Sequence, residues 1–148
     1  MKLILLFVSF VFAADPILPD SILTPGDTVS IPLCTLCTPG YTAKIRNVPL
    51  SLKKQVYKEY NIQQTVPRQY EVDHLISLEL GGSNNIKNLW PQSYLTTPWN
   101  AHVKDRLEDR LHSLVCKQQI TLQEAQCEIS HNWILAFKKY FPTDSLSK

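Results

Sequence analysis

Tyr70-Glu71-Val72-Asp73-His74-Leu75-Ile76-Ser77-Leu78-Glu79-Leu80-Gly81-Gly82, with Asn88-Leu89-Trp90 behind it, is the stretch on which the reading of this chain turns. Gln69 to Ile76 is rich in apolar and β-favouring side chains and predicts a strand that carries Asp73 and His74 near its end. Gly81-Gly82-Ser83-Asn84-Asn85 predicts a turn or loop. Ile86 to Trp90 then supplies a second strand, which Pro91 closes. Neighbours on a regular strand point to opposite faces, so Asp73 and His74 serve one site only where the strand ends or twists.

Downstream, Pro98 suits the first turn of a helix. Trp99, Val103, Leu107, Leu111 and Leu114 or Val115 recur at three- and four-residue steps and form one apolar face. Lys104, Asp105, Arg106, Glu108, Asp109 and Arg110 are expected on the opposite, solvated face. A last helix opens at Thr121, where Thr121 and Glu124 have capping-box spacing. It buries Leu122, Ala125, Ile129, Trp133, Ala136 and Tyr140 and stops at Pro142, leaving residues 143–148 to fray. Upstream, Pro16, Pro19, Pro25 and Pro32 make residues 15–32 an extended or loosely ordered arm. Tyr41 to Arg46 alternates as a short strand, and Ser51 caps a helix through Leu52, Val56 and Tyr60. The expected fold class is α+β, a small hairpin with helices packed around it, in one domain over residues 33–142.

Leu3 to Phe12 is apolar apart from Ser9, follows Lys2, and is succeeded by the small residues Ala13 and Ala14. Such a run is too short for a bilayer, which needs about 20 residues. Residues 1–14 therefore read as a secretory signal peptide, and the mature protein as secreted or periplasmic. A net charge of +2 over 148 residues is a weak general pull toward nucleic acid and leaves room for a local basic patch.

Cys34, Cys37, Cys116 and Cys127 read in an oxidising compartment as two disulfides, with three possible connectivities. Cys34-Thr35-Leu36-Cys37 also has the spacing of a redox motif or of half a zinc site. Pro39-Gly40 follows too soon for the helix that a redox motif opens. Cys116 and Cys127 are poorly spaced for a second zinc half-site.

Phosphodiester hydrolysis needs an activated water, stabilised phosphoryl charge, and help for the departing oxygen. His74 suits the first task as a general base, because neutral imidazole titrates near physiological pH. Asp73 suits the other two by binding a hard divalent cation, Mg²⁺ first, with Mn²⁺ or Zn²⁺ as alternatives. Asn88 has an amide that can grip backbone on both sides and hold the His74 loop. Arg46, Lys104 and Arg106 are candidate phosphate contacts, with solvated ion pairs as the plainer reading of each. Glu71 and Glu79 also have the makings of a glycosidase acid–base pair, which nothing else in the chain favours.

The Asp73-His74, Gly81-Gly82 and Asn88-Leu89-Trp90 order resembles the first two parts of an HNH nuclease site, a ββα-metal fold. Cys37 to Thr42, Arg46, Glu71 to Pro91, Lys104 to Glu108, Val115-Cys116 and Glu124 to Gln126 together resemble exported bacterial HNH-like proteins. The resemblance implies a disulfide-stapled hairpin-plus-helix core and a metal-dependent endonuclease acting on DNA, with RNA as a further substrate. It implies His74 as base with Asn88 bracing it, and Asp73 holding the cation. The third part is a His or Asn early in the following helix, here Asn100, with His102 as the alternative. HNH proteins often carry a structural zinc on cysteine pairs near this helix, and disulfides stand in for it here. Cys37 and Cys116 both lie in the resembling blocks, which favours pairing them and leaves Cys34 with Cys127. Water attack on this plan leaves 5′-phosphate ends. The rival expectation is a secreted module that keeps the fold for binding or structure without catalysis.

Overall fold

The structure, a computed structural model, describes residues 17–63 and 67–147. The expected signal segment lies outside them, as do the first two residues of the arm. At the centre are two antiparallel strands, β1 (Tyr70–His74) and β2 (Leu89–Ser93). Their register runs from Tyr70 opposite Ser93 to His74 opposite Leu89. Three helices precede the hairpin: α1 (Leu33–Leu36), α2 (Tyr41–Ile45) and α3 (Leu50–Glu59). Two follow it, α4 (Ala101–Cys116) and α5 (Leu122–Tyr140), so the class is α+β. No helix among the described residues is long and apolar enough to cross a membrane.

The apolar face read on α4 packs against α5. Leu107, Leu111, Ile129, Trp133 and Phe137 are fully buried together with Trp90 of β2. Each such side chain contributes about 1.5–3 kcal/mol relative to exposure. Thr121 caps α5 by accepting the Glu124 amide. The helix is interrupted at Asn132, whose side chain accepts the Ile134 and Leu135 amides and starts the second half afresh.

Several local expectations are corrected. Tyr41 to Ile45 is helical, because no neighbouring strand is there to pair it; Tyr41 and Ile45, one turn apart, share a face instead. Helix α3 begins at Leu50 behind Pro49, with no side-chain cap, so Ser51 lies inside it. Ile86–Asn88 is a 3₁₀ turn that Asn85 caps, and Pro91 sits within β2 opposite Val72. A two-stranded sheet has only edge strands, where a missing N–H is tolerated. The Thr97–Pro98 bond is cis, and α4 starts at Ala101, where Asn100 accepts the Val103 amide as a cap that proline could not supply.

The arm is extended and pinned. The Ile17 carbonyl accepts the Trp133 indole N–H at 2.9 Å, and the Thr24 hydroxyl donates to the Leu89 carbonyl at 2.8 Å. Residue Thr28 bridges to Gly82. The tail does not fray over its described residues: Asp144 pairs with Arg106, and Ser145–Ser147 forms a 3₁₀ turn.

Cys37 and Cys116 form a disulfide that ties the end of α1 to the end of α4 across 79 residues. The expected Cys34–Cys127 bond is absent, and both cysteines are free and exposed. Cys34 lies on α1 and Cys127 on the exposed face of α5. Replacing Cys37 by Ser is expected to cost about 2–4 kcal/mol, since the bond restricts a long unfolded loop. Cys34→Ser and Cys127→Ser should stay within about 0.5 kcal/mol of the parent in urea unfolding.

Candidate functional site at the end of the hairpin

One side chain ties the loop after β1 at three points. Asn88 is fully buried; its Oδ1 accepts the Ile76 amide at 2.9 Å. Its Nδ2 donates to the Ile76 and Ser83 carbonyls, both at 2.9 Å. Gly82 passes so close that a Cβ there would lie 1.7 Å from the Ile76 carbonyl oxygen, which only glycine permits. Gly81 takes the left-handed conformation that ends the Leu78–Leu80 turn. The spacing from Asp-His through Gly-Gly to Asn is therefore the closure of one loop.

His74 ends β1 with 2% of its surface exposed. Its Nε2 lies 3.1 Å from Asn84 Oδ1. The Asn84 amide nitrogen donates to the Ile45 carbonyl at 2.8 Å, and its Oδ1 also accepts the Asn47 amide at 3.3 Å. Asn84 thus presents an acceptor, so neutral His74 carries its proton on Nε2 and its lone pair on Nδ1. Burial pushes the His74 pKa down, against the Asn84 bond and the Asp73 charge, which raise it. Burial thus biases the ring toward its neutral form.

Lys104, expected on the solvated face of α4, is fully buried instead. Its ammonium donates to Asp73 Oδ2 at 2.7 Å, to the His74 carbonyl at 2.8 Å and to Glu108. Burial alone would lower its pKa; Asp73 and Glu108 outweigh that, and it is raised. Burial pushes Glu108 up to about 8, with Lys104 pulling the other way. Asp105 is raised by burial and then by the Asp73 charge. Glu71, which accepts the Tyr94 hydroxyl at 2.6 Å, is raised by the same two causes. Four carboxylates thus share the neighbourhood of one buried ammonium.

The expected metal ligands are not brought together as a set. Asp73 keeps one oxygen clear of Lys104, while the Asn100 side-chain oxygen is engaged in capping α4. His102 is exposed, 5.2 Å from the Tyr94 ring and 3.9 Å from Asp105. Asp105, Glu71 and Glu108 each feel the Asp73 charge and so share its surroundings. Carboxylate and amide oxygens both suit a hard cation in kind, and the Asn100 oxygen already accepts the Val103 amide.

Of the expected phosphate contacts, Lys104 is corrected by its burial, and Arg106 by its pairing with Asp144 and its position over the Phe137 and Phe141 rings. Arg46 is exposed and close enough to His74 for its charge to act on the ring. It borders an open cleft of about 690 Å³ with Lys53, Arg68, Tyr94, His102 and Glu71. On its other side Arg46 borders a smaller recess with Glu79, Asp105 and Glu108.

No family model, curated protein or solved structure matches this chain.

Sequence reasoning missed Asn84, Lys53, Arg68 and Tyr94 as parts of this site. Asn84 lay within a turn whose polar residues all looked alike, and Lys53 and Arg68 approach from separate elements. Glu108 had a signal: it stands four residues after Lys104, the spacing of a helical ion pair.

Proposed function

We propose that this protein is an exported phosphodiester hydrolase of the HNH, ββα-metal kind, acting on nucleic acid and on DNA first. The observation that carries the reading is the open cleft bordered by Arg46, Lys53, Arg68 and His102 alongside the strand that ends in Asp73 and His74. Three guanidinium or ammonium groups around one cleft suit a phosphate backbone. The neutral His74, its proton fixed on Nε2 by Asn84, leaves Nδ1 to accept a proton from water. A Mg²⁺-class cation would be held by Asp73 and Asp105, in place of the Asp73–Asn100 pair expected from sequence. When bound, it would neutralise charge on the phosphoryl oxygens. Asn88 fixes the backbone from which His74 projects, and Arg46 screens a phosphate approaching it.

The test is cleavage of plasmid DNA by oxidised protein with Mg²⁺ or Mn²⁺ and with excess EDTA. Metal-dependent cleavage with 5′-phosphate ends supports the reading; a folded protein inactive with every metal refutes it. Binding supplies a separate check. Arg46→Ala, Lys53→Ala and Arg68→Ala should each weaken DNA binding and lower the salt slope by about 1. An unchanged slope in all three would remove the cleft from the interface.

A second reading, a binding module without catalysis, is favoured by two specific facts. His74 is 2% exposed, and Asp73 is already paired with a buried lysine. It predicts the same salt dependence and no cleavage.

A further inference from the structure

Independently of any nuclease activity, we infer that the reduced form of this chain carries a zinc site built from Cys34, Cys37, His112 and Cys116, which the Cys37–Cys116 disulfide closes. Ligand atoms of Cys37, His112 and Cys116 lie within 4.8 Å of one another, the only such group of three His, Cys, Asp or Glu residues found among the described residues. His112 Nε2 stands 3.3 Å from Cys116 Sγ. Two tetrahedral zinc ligands, a thiolate at about 2.3 Å and an imidazole nitrogen at about 2.0 Å, are separated by about 3.5 Å. The observed spacing already approaches that value.

The sequence spacing agrees once the histidine is counted. Cys34 and Cys37 form a Cys-x-x-Cys half-site, and His112 and Cys116, one turn apart on α4, form the other half. Judging Cys116 against Cys127 concealed this, because the partner of Cys116 is a histidine upstream. Cys34 lies outside the close group in the oxidised form, yet it precedes Cys37 by one turn along α1 and is exposed and free. Side chains three apart on a helix share a face, so rotation of its thiol supplies a fourth ligand.

The surroundings also suit a metal-bound imidazole. His112 Nδ1 lies 3.9 Å from Glu79 Oε2, while Glu79 Oε1 is buried without a hydrogen-bond partner. A zinc-ligating histidine commonly donates its other N–H to a carboxylate. With Nε2 on zinc, Nδ1 carries the proton and Glu79 becomes its acceptor.

The chemistry balances with a dithiol as reductant. The S–S bond takes up two electrons and two protons and becomes two thiols, while the dithiol becomes its own disulfide. Zn²⁺ then displaces the thiol protons of Cys34, Cys37 and Cys116. Oxidation by a disulfide reverses the exchange, restores the Cys37–Cys116 bond and releases the ion. In either state the crossing of α1 and α4 stays closed, by sulfur–sulfur bonding or by zinc.

The experiment uses the full chain, reduced with a phosphine and freed of metal, and titrated with Zn²⁺ against a chromophoric chelator. One Zn²⁺ per chain is expected in the reduced protein and none in the oxidised. Co²⁺ in its place should give the visible bands of a tetrahedral, thiolate-rich site. His112→Ala and Cys34→Ser should each weaken zinc binding at least about 100-fold, Glu79→Gln by about 10-fold, and Cys127→Ser not at all. If the reduced apoprotein unfolds, Zn²⁺ should refold it as followed by circular dichroism, and should fail to do so in His112→Ala. Absence of zinc uptake by the reduced chain overturns the site. Uptake that survives His112→Ala, or that needs Cys127 in place of Cys34, marks adventitious thiol binding and overturns it equally.

Discussion

His74→Ala is expected to lower metal-dependent DNA cleavage by about 10²–10⁴-fold, the usual contribution of a positioned general base. His102, the imidazole that borders the cleft, stands beside Tyr94 and Asp105 and lies on α4 rather than at the end of β1. DNA affinity should change little, because Arg46, Lys53 and Arg68 remain. The pH profile separates a base from a structural histidine. Burial lowers the His74 pKa, so the parent's acid limb should fall below the ordinary imidazole range near 6.5. Asn84→Ala removes the hydrogen bond that raises that pKa, so its acid limb should move lower still, while His74→Ala should lose the limb. Stability gives an independent sign: with a depressed folded pKa, the histidine's contribution is present above about 6.5 and lost as pH falls through the folded value. Retention of full cleavage by a folded His74→Ala protein sinks the mechanism. A loss matched by a loss of folding, read by circular dichroism, assigns the residue to structure.

The hairpin was legible because its signals are local. Asp73-His74 closing an apolar run, the two glycines and Asn88 are all consequences of one loop folding back on itself, and the glycine at position 82 admits no alternative. The faces of α4 and α5 followed from periodicity alone. Lys104 was misplaced for the opposite reason. Helical periodicity placed it with charged neighbours, whereas its burial is decided by Asp73, 31 residues earlier, and by the His74 carbonyl. The cleft that Arg46 borders is assembled from α3, the segment before β1, and α4, which no local pattern connects. The closeness of His112 to Cys116 was missed because cysteines were compared only with cysteines, although the two have helical spacing. The arm and the tail looked unstructured because their anchors, Trp133 and Arg106, lie far away in sequence.

Lys104→Met should destabilise the fold by about 3–5 kcal/mol, the range for removing one partner of a buried ion pair. Methionine keeps most of the stem, so the loss is the charge and three donated hydrogen bonds, with Asp73, Glu108 and the His74 carbonyl left facing one another. The cost should depend on pH in a defined direction. Burial has pushed Glu108 up to about 8, above its ordinary 4.5, and Lys104 restrains that rise. A raised folded pKa favours folding below the unfolded value and loses that contribution as pH climbs through the folded one. Without Lys104 the rise goes further, so the variant must either hold protons at alkaline pH or bury bare carboxylates. Urea unfolding should therefore show a larger deficit near pH 8.5 than near pH 5. Glu108→Gln in the Lys104→Met background should recover part of the alkaline deficit, because it removes one unpaired charge. A pH-independent loss below about 1 kcal/mol is the behaviour of an exposed pair, and would show that the lysine does not hold these carboxylates in solution. Because the same ammonium bonds the His74 carbonyl, the variant also loosens the end of β1. Any cleavage it retains should then be lower than the parent's even at a pH and temperature where both are fully folded.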